Sequence, residues 1–150
     1  MAAAPPKQFL QFLDIETEGA VDFVMDPQWP AIEAALRLLN GTTKTLVVLE
    51  GPPPMHMNIG GGNANRYVVS LTYDTDKYYV LQNPEGTTEI VELTVGGGTS
   101  RYPVAMLVPL EMTLIAAKGF AATGEADRTL PWLGADEITQ PNAESIPTDI

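Results

Sequence analysis

The chain has 150 residues, enough for one domain with an ordinary hydrophobic core. Its 19 acids and 8 bases give a formal net charge of −11, which argues against a nucleic-acid partner, because phosphate recognition needs clustered bases. The absence of cysteine excludes disulfide scaffolds, thiolate catalysis and cysteine-based zinc sites.

The N-terminal segment shows no basic start followed by an apolar run, and no stretch of the sequence approaches about 18 apolar residues. We therefore expect no signal peptide, no membrane partner and a cytoplasmic location. The large negative charge favours a basic protein partner, although solubility alone would also account for it.

The first predicted elements are a short strand and a helix. Residues 21–24 are compatible with a strand, and residues 26–41 predict a helix with Asp26 as its N-cap and Pro27 at its first position. Asn40-Gly41 supplies a stop signal. The apolar positions at helical spacing are Trp29, Ile32, Leu36 and Leu39.

Two further strands are predicted before the middle of the chain. Residues 45–50 contain a continuous apolar run typical of a buried strand, and residues 55–59 alternate between apolar and polar side chains. In that alternation His56 points to the outer side of the sheet. The glycine run 60–62 ends the second strand as a turn, where glycine tolerates a positive φ.

A three-stranded antiparallel meander is predicted from residues 66–74, 77–82 and 89–95. Pairing Leu71 with Val80, and Val80 with Val91, would place the apolar residues of all three strands on one face. The opposite, outward side of this meander would then carry Ser70, Thr72, Tyr79, Glu92 and Thr94.

The last third predicts one strand, one helix and a tail. Residues 102–108 predict a strand whose proline suggests a sheet edge, and a helix then runs from Pro109 to a glycine cap at Gly124. Gly119 suggests a close approach of this helix to the sheet. Residues 130–133 form a short apolar piece. The expected core positions of the helix are Met112, Ile115, Ala116, Phe120 and Thr123.

Strands and helices are thus segregated along the chain with short links, which favours an α+β fold. We expect an antiparallel sheet of about five to six strands with two main helices packed on one face. Residues 1–133 would form the single domain, and residues 134–150, which contain four acids and no base, would form an acidic flexible tail.

No catalytic arrangement emerges from the sequence. The two glycine runs lack the Lys-Ser or Lys-Thr of a phosphate loop, His56 is the only histidine, and the acids lack the spacing of a calcium loop. We therefore expect no enzyme activity, no cofactor and no metal. Two alternatives remain open: a small-ligand-binding protein or small enzyme using the sheet face and His56, and an adaptor that binds itself through residues 102–108.

The order of features resembles a known family. A helix that opens at Trp29, a glycine turn at 60–62, a hairpin rich in tyrosine and valine, a second glycine turn at 96–98 and a helix followed by Trp132 resemble the first-numbered immunity protein family of bacterial polymorphic toxin systems. The resemblance covers residues 27–133. Its motif residues are expected to be structural: Trp29, Gly61, Gly97, Phe120, Gly124 and Trp132.

The resemblance implies a cytoplasmic antidote that binds a cognate toxin domain, often a nucleic-acid deaminase, and occludes its basic active-site cleft. It also implies that Trp132 matches the family's C-terminal tryptophan, which we expect to pin the second helix to the sheet. The free protein would be a monomer. The residues predicted to bind the toxin are Asp74, Asp76, Tyr79, Glu89 and Glu92.

Overall fold

The structure, a computed structural model, describes residues 9–17, 20–73 and 78–134. These residues form an α+β fold with two α-helices and a main antiparallel sheet of seven strands, in place of the five to six predicted. The predicted partner-binding residues Asp74 and Asp76 lie outside the described residues, as do residues 135–150 of the predicted tail.

The described residues form nine strands in two sheets. The strands are β1 (Phe12–Thr17), β2 (Ala20–Met25), β3 (Lys44–Glu50), β4 (His56–Gly61), β5 (Tyr67–Thr72), β6 (Tyr78–Leu81), β7 (Ile90–Val95), β8 (Gly98–Pro103) and β9 (Trp132–Gly134). The main sheet has the order β2-β1-β3-β4-β5-β6-β9, and β7 pairs with β8 as a separate hairpin. The extra strands of the main sheet are β1, which was not predicted, and the short edge strand β9.

The helices are α1 (Trp29–Leu38) and α2 (Leu110–Thr123). They contact each other and strands β3, β4 and β5. The main core lies between the helices and the sheet, where Leu36 and Phe120 join Leu49, Ile59 and Leu71, all 0% exposed. This core accounts for most of the large side chains that the fold removes from water.

Two details of the helices differ from the prediction. Helix α1 has Gln28 as its N-cap, so that Pro30 rather than Pro27 lies in its first turn, and Asp26 adopts a positive φ of 48° before the helix begins. In α2, Ile115 is 42% exposed, and a Cβ at Gly119 would contact Asp127 rather than the sheet. The buried side of α2 carries Thr113, Ala116, Ala117 and Phe120.

The first predicted pairing of the meander, between β5 and β6, is confirmed in its partners but wrong in its register, and the second pairing is wrong. Strand β5 pairs with β6 through Leu71 and Tyr79, one residue away from the predicted register. Strand β7 pairs with β8 and not with β6, whose other neighbour is β9. Tyr79 therefore shares a face with Leu71 on the helix side of the sheet, whereas Ser70 lies on the other side and is 2% exposed.

The β7–β8 hairpin packs against the face of the main sheet that is turned away from the helices. Leu93 and Tyr102 of the hairpin form a second, smaller core with Val68 of β5 and with Leu107. The predicted strand at residues 102–108 is thus only partly correct, because β8 ends at Pro103 and a single 3-10 turn follows at Val104–Met106. No helix in the described part of the chain is both long and apolar enough to span a membrane.

Candidate partner-binding surface

The sheet face turned away from the helices, the outer face, is covered only in part. The β7–β8 hairpin packs on β4 and β5, and its turn reaches β3, where the Gly97 N–H donates a hydrogen bond of 2.9 Å to the Thr45 hydroxyl. The uncovered part lies on β1, β2 and β3. We call it the outer patch, and define it by Phe12, Asp14, Glu16, Val21, Phe23, Met25, Val48 and Glu50.

One edge of the outer patch is strongly apolar. Strand β2 is the first strand of the sheet, and its alternate residues Val21, Phe23 and Met25 are 46%, 67% and 72% exposed. Among the described residues, only Leu38 and Ile115 are further large hydrophobic side chains with such exposure, and both belong to the helices. A contiguous exposed apolar surface on a small protein is characteristic of a binding site.

Two carboxyl groups meet in the middle of the outer patch. Asp14 of β1 is hydrogen bonded to the carboxyl of Glu50 on β3. Burial, and then this hydrogen bond and the negative charge of Glu50, raise the pKa of Asp14 to about 7. The Asp14 Oδ1 atom is inaccessible to water and has no hydrogen-bond partner among the described residues. Among the described residues, neither of these two carboxyl groups forms an ion pair.

The raised pKa has a consequence for stability. Between about pH 4 and pH 7 the folded protein retains a proton that the unfolded chain releases, so this group's contribution to the free energy of unfolding falls as the pH rises. We expect Asp14→Asn to remove this loss, because an amide can donate a hydrogen bond to Glu50 at any pH. Solvent screens part of the effect, so the gain at pH 8 should be about 1 kcal/mol.

The measurement is urea unfolding of both proteins at pH 5 and pH 8. The control is Glu111→Gln, which removes the same charge from an exposed position in the first turn of α2. The pH dependence should shrink in Asp14→Asn and persist in Glu111→Gln. An equal change in both variants would mean that net charge, not the carboxyl pair, governs the pH dependence.

The structure separates the predicted partner-binding residues that it describes. Glu92 is exposed on β7 opposite Arg101 of β8, and Glu89 is exposed just before β7. Tyr79 is half-buried on the helix side of the main sheet, where its ring makes an edge contact with Tyr73 at 5.7 Å between centroids. The two glutamates therefore share the hairpin, and Tyr79 lies on the other side of the sheet.

His56, the residue of the alternative prediction, does not line the cleft found in the structure. A ring nitrogen of His56 lies 2.8 Å from the Pro54 carbonyl, and its strand neighbours are Glu50 and Thr72. An open cleft of about 600 Å³ lies elsewhere, lined by Asn65, Asn83 and Thr129 among others. Within the described residues, no group of three or more histidines and acids could hold a metal ion.

The motif residues occupy structural positions. Phe120 is buried in the main core, and Gly124 caps α2 with a φ of 78°. Gly61 and Gly97 have φ values of 91° and 82°, at the end of β4 and in the β7–β8 turn. Trp132 of β9 packs against the main core, as does Trp29, which opens α1.

Trp132 also connects two parts of the chain near the end of the described residues. Its indole N–H donates a hydrogen bond of 3.0 Å to the carbonyl of Asp127, in the segment that follows α2. Its strand pairs with β6, where Trp132 lies opposite Leu81. The tryptophan thus links the segment after α2 to the edge of the sheet.

Sequence reasoning missed the outer patch. Residues 12–25 combine apolar and acidic side chains, and an apolar side chain in a strand is normally taken as buried. Asp14 and Glu50 are also far apart in the sequence and meet only because β1 lies beside β3. The sequence signal that pointed to this surface was the alternation of Val21, Phe23 and Met25. Such alternation shows that the three residues share one face of a strand, but it does not show whether another element covers that face.

The comparisons agree with the resemblance noted in the sequence. The family model described as Immunity protein Imm1 matches residues 26–133, well over half of the chain. No curated protein matches the sequence. The matched segment includes both helices, the hairpin and all of the main sheet except β1 and β2. The chain therefore belongs to the Imm1 family of immunity proteins, which neutralise protein toxins.

Proposed function

We propose that this immunity protein acts in the cytoplasm on a toxin domain that modifies nucleic acid, and specifically on a nucleobase deaminase, by covering the basic mouth of its active site. The observation that carries the proposal is the uncompensated charge. The net charge is −11, and the one ion pair between described residues joins Arg37 to Glu33 within α1. Most acids among the described residues are therefore without an internal ion pair that would compete with an external cation.

The charge suits this class of target for a physical reason. A deaminase must draw a polyanionic strand into its active site, so the surface around that site carries arginine and lysine. A protein with a strong negative field is attracted to the same surface and competes with the nucleic acid for it. An acidic inhibitor needs no reactive group, because occupation of the cleft is sufficient.

The test takes as the toxin the C-terminal domain of whichever large secreted protein is found encoded beside this gene. Deamination of a single-stranded oligonucleotide by that domain should stop when the immunity protein is added at a one-to-one ratio. A domain that remains fully active with the protein in excess would contradict neutralisation. A domain that is neutralised but cleaves nucleic acid, or attacks another target, would contradict only the deaminase assignment.

The predicted acids Asp74 and Asp76 provide a kinetic prediction for the same complex. Charge reversal of both, Asp74→Lys with Asp76→Lys, should slow association about tenfold at an ionic strength of about 0.01 M. The difference should nearly vanish at about 0.5 M salt, because the field is then screened within a few ångströms. Stopped-flow association rates across this salt range measure the effect.

The control for this prediction keeps the total charge change and moves it elsewhere. Glu111→Lys with Glu125→Lys changes two exposed acids at the two ends of α2. If the toxin approaches the Asp74 side, this control should slow association much less. Equal slowing in both double variants would show that net charge alone, and not this part of the surface, steers the encounter.

A further inference from the structure

The outer patch has exposed apolar side chains, and the net negative charge of the protein does not account for them. Its exposed apolar side chains on β2 stand directly beside acids of β1, because Phe23 pairs with Asp14 and Val21 pairs with Glu16. Exposed phenylalanine and methionine contribute nothing to solubility. They do supply the large apolar contact area that the centre of a protein interface requires.

The acids of the outer patch indicate the charge of the partner that would bind there. Lys44 of β3 donates its hydrogen bond of 3.2 Å to the Thr17 hydroxyl, and His56 of β4, which lies opposite Glu50, has a ring nitrogen 2.8 Å from the Pro54 carbonyl. Asp14 and Glu50 are both only half-buried, so a guanidinium or ammonium group from outside would pair with the two carboxyl groups together.

The same charges disfavour the other occupants of this face. A second copy of the chain would bring its own Asp14, Glu16 and Glu50 against the same three acids, and like charges in an interface are repulsive. Residues 135–150 contain four acids and no base, so their charge opposes docking here as well. Charge complementarity therefore selects a basic partner.

The position of the outer patch in the chain adds a second argument. The family match begins at residue 26, directly after β2, so β1 and β2 lie outside it. These two strands carry six of the eight residues that define the outer patch. Most of the outer patch thus lies outside the segment that matches the family model, and a surface of this kind can carry selectivity for one particular toxin.

From these observations we propose that the outer patch is the contact surface for the toxin. It receives an arginine- or lysine-bearing surface with apolar flanks: the base pairs with Asp14 and Glu50, and the apolar side chains pack on Phe23 and Met25. This inference rests on the proposed function and adds the surface and the chemistry of its partner. The inference also assigns different effects to different acids. Acids outside the contact surface raise the association rate through their charge, whereas the acids of the outer patch lower the dissociation rate.

The experiment compares two double variants by binding to the C-terminal toxin domain encoded beside this gene. Phe23→Ala with Met25→Ala should weaken the Kd roughly 100-fold, mainly through faster dissociation, as expected for aromatic and apolar anchors. Asp14→Asn with Glu50→Gln should weaken it roughly tenfold or more, because the toxin's base then lacks its counter-charge. Both sets change side chains without removing a core residue.

The matched controls remove equivalent groups from the helix side. Leu38→Ala with Ile115→Ala removes the two remaining large hydrophobics that are exposed in the described chain, 57% and 42%. Glu111→Gln with Glu125→Gln removes two exposed acids. These controls should change the Kd less than about twofold. Sedimentation of the free wild-type protein should show a monomer.

The possible outcomes separate the inference from the proposed function. If the wild-type protein binds and neutralises the toxin domain, but the outer-patch variants bind equally well, the outer patch is wrong and the function stands. If the wild-type protein does not bind, both fail. A dimer of the free protein that Phe23→Ala with Met25→Ala dissociates would assign this face to self-association and overturn the inference.

Discussion

Replacing Phe120 with alanine will lower the free energy of unfolding by about 3–5 kcal/mol. Phe120 is 0% exposed in the middle of the main core, and its ring makes an edge contact with Phe9, with 5.2 Å between the centroids. Removal of the ring leaves a cavity that the helix backbone on one side and the sheet on the other prevent from closing. The free energy of unfolding of a protein of this size is about 5–15 kcal/mol in total, so about a fifth or more of it would be lost.

The control for this prediction lies on the same helix. Ile115 was predicted from the sequence to belong to the core, but it is 42% exposed in the structure. Ile115→Ala should therefore change the free energy of unfolding by about 1 kcal/mol or less. Urea unfolding of both variants, with the m-value checked for constancy, measures the difference. Equal losses would mean that the helix is rotated relative to the orientation described here.

The sequence of α2 explains why Ile115 was wrongly predicted to be a core residue. The sequence of this helix, from Leu110 to Thr123, has apolar or small residues on almost every side, so its periodicity indicates the buried face only weakly. Helix α1 has a clearer pattern, and the buried Ile32 and Leu36 were predicted correctly. Sequence periodicity thus located both helices but fixed the orientation of only one.

The error in the β5–β6 register has a related cause. Strand β5 is buried on both faces, because Val69 and Leu71 face the helices while Val68 and Ser70 face the covered part of the outer face. A strand without a solvent-exposed side lacks the polar positions that would fix its register. The prediction placed Val80 opposite Leu71, whereas Val80 pairs with Ser70 and Tyr79 pairs with Leu71, so the error of one residue lies in β6.

The candidate site was less predictable than the fold. A hydrophobic pattern shows which residues share a face, but whether another element covers that face depends on contacts distant in sequence. The β7–β8 hairpin covers Val68 and leaves Phe23 uncovered, and no local signal near either residue distinguishes them. The family resemblance identified the class of function and not the surface, because the match excludes β1 and β2.

Replacing Gly61 with alanine will destabilise the fold strongly, and Gly97 provides the control. The two glycines have similar backbone conformations but different surroundings. Their φ values are 91° and 82°, a region in which a residue with a Cβ is strained by about 1–2 kcal/mol. A Cβ at position 61 would lie 2.8 Å from the Arg66 carbonyl oxygen and 2.6 Å from the Leu93 side chain. A Cβ at position 97 would meet only a Glu16 carboxylate oxygen, at 3.8 Å.

Gly61→Ala should therefore cost about 2–5 kcal/mol, the sum of backbone strain and a forced displacement, whereas Gly97→Ala should cost about 1–2 kcal/mol. The displaced group in the first case is Leu93, which anchors the β7–β8 hairpin to the sheet. Hydrogen exchange should accordingly increase at the hairpin amides in Gly61→Ala, beyond the increase caused by lower global stability. If both variants lose the same stability and exchange alike, backbone strain alone accounts for the two glycines, and Gly61 does not hold the hairpin in place.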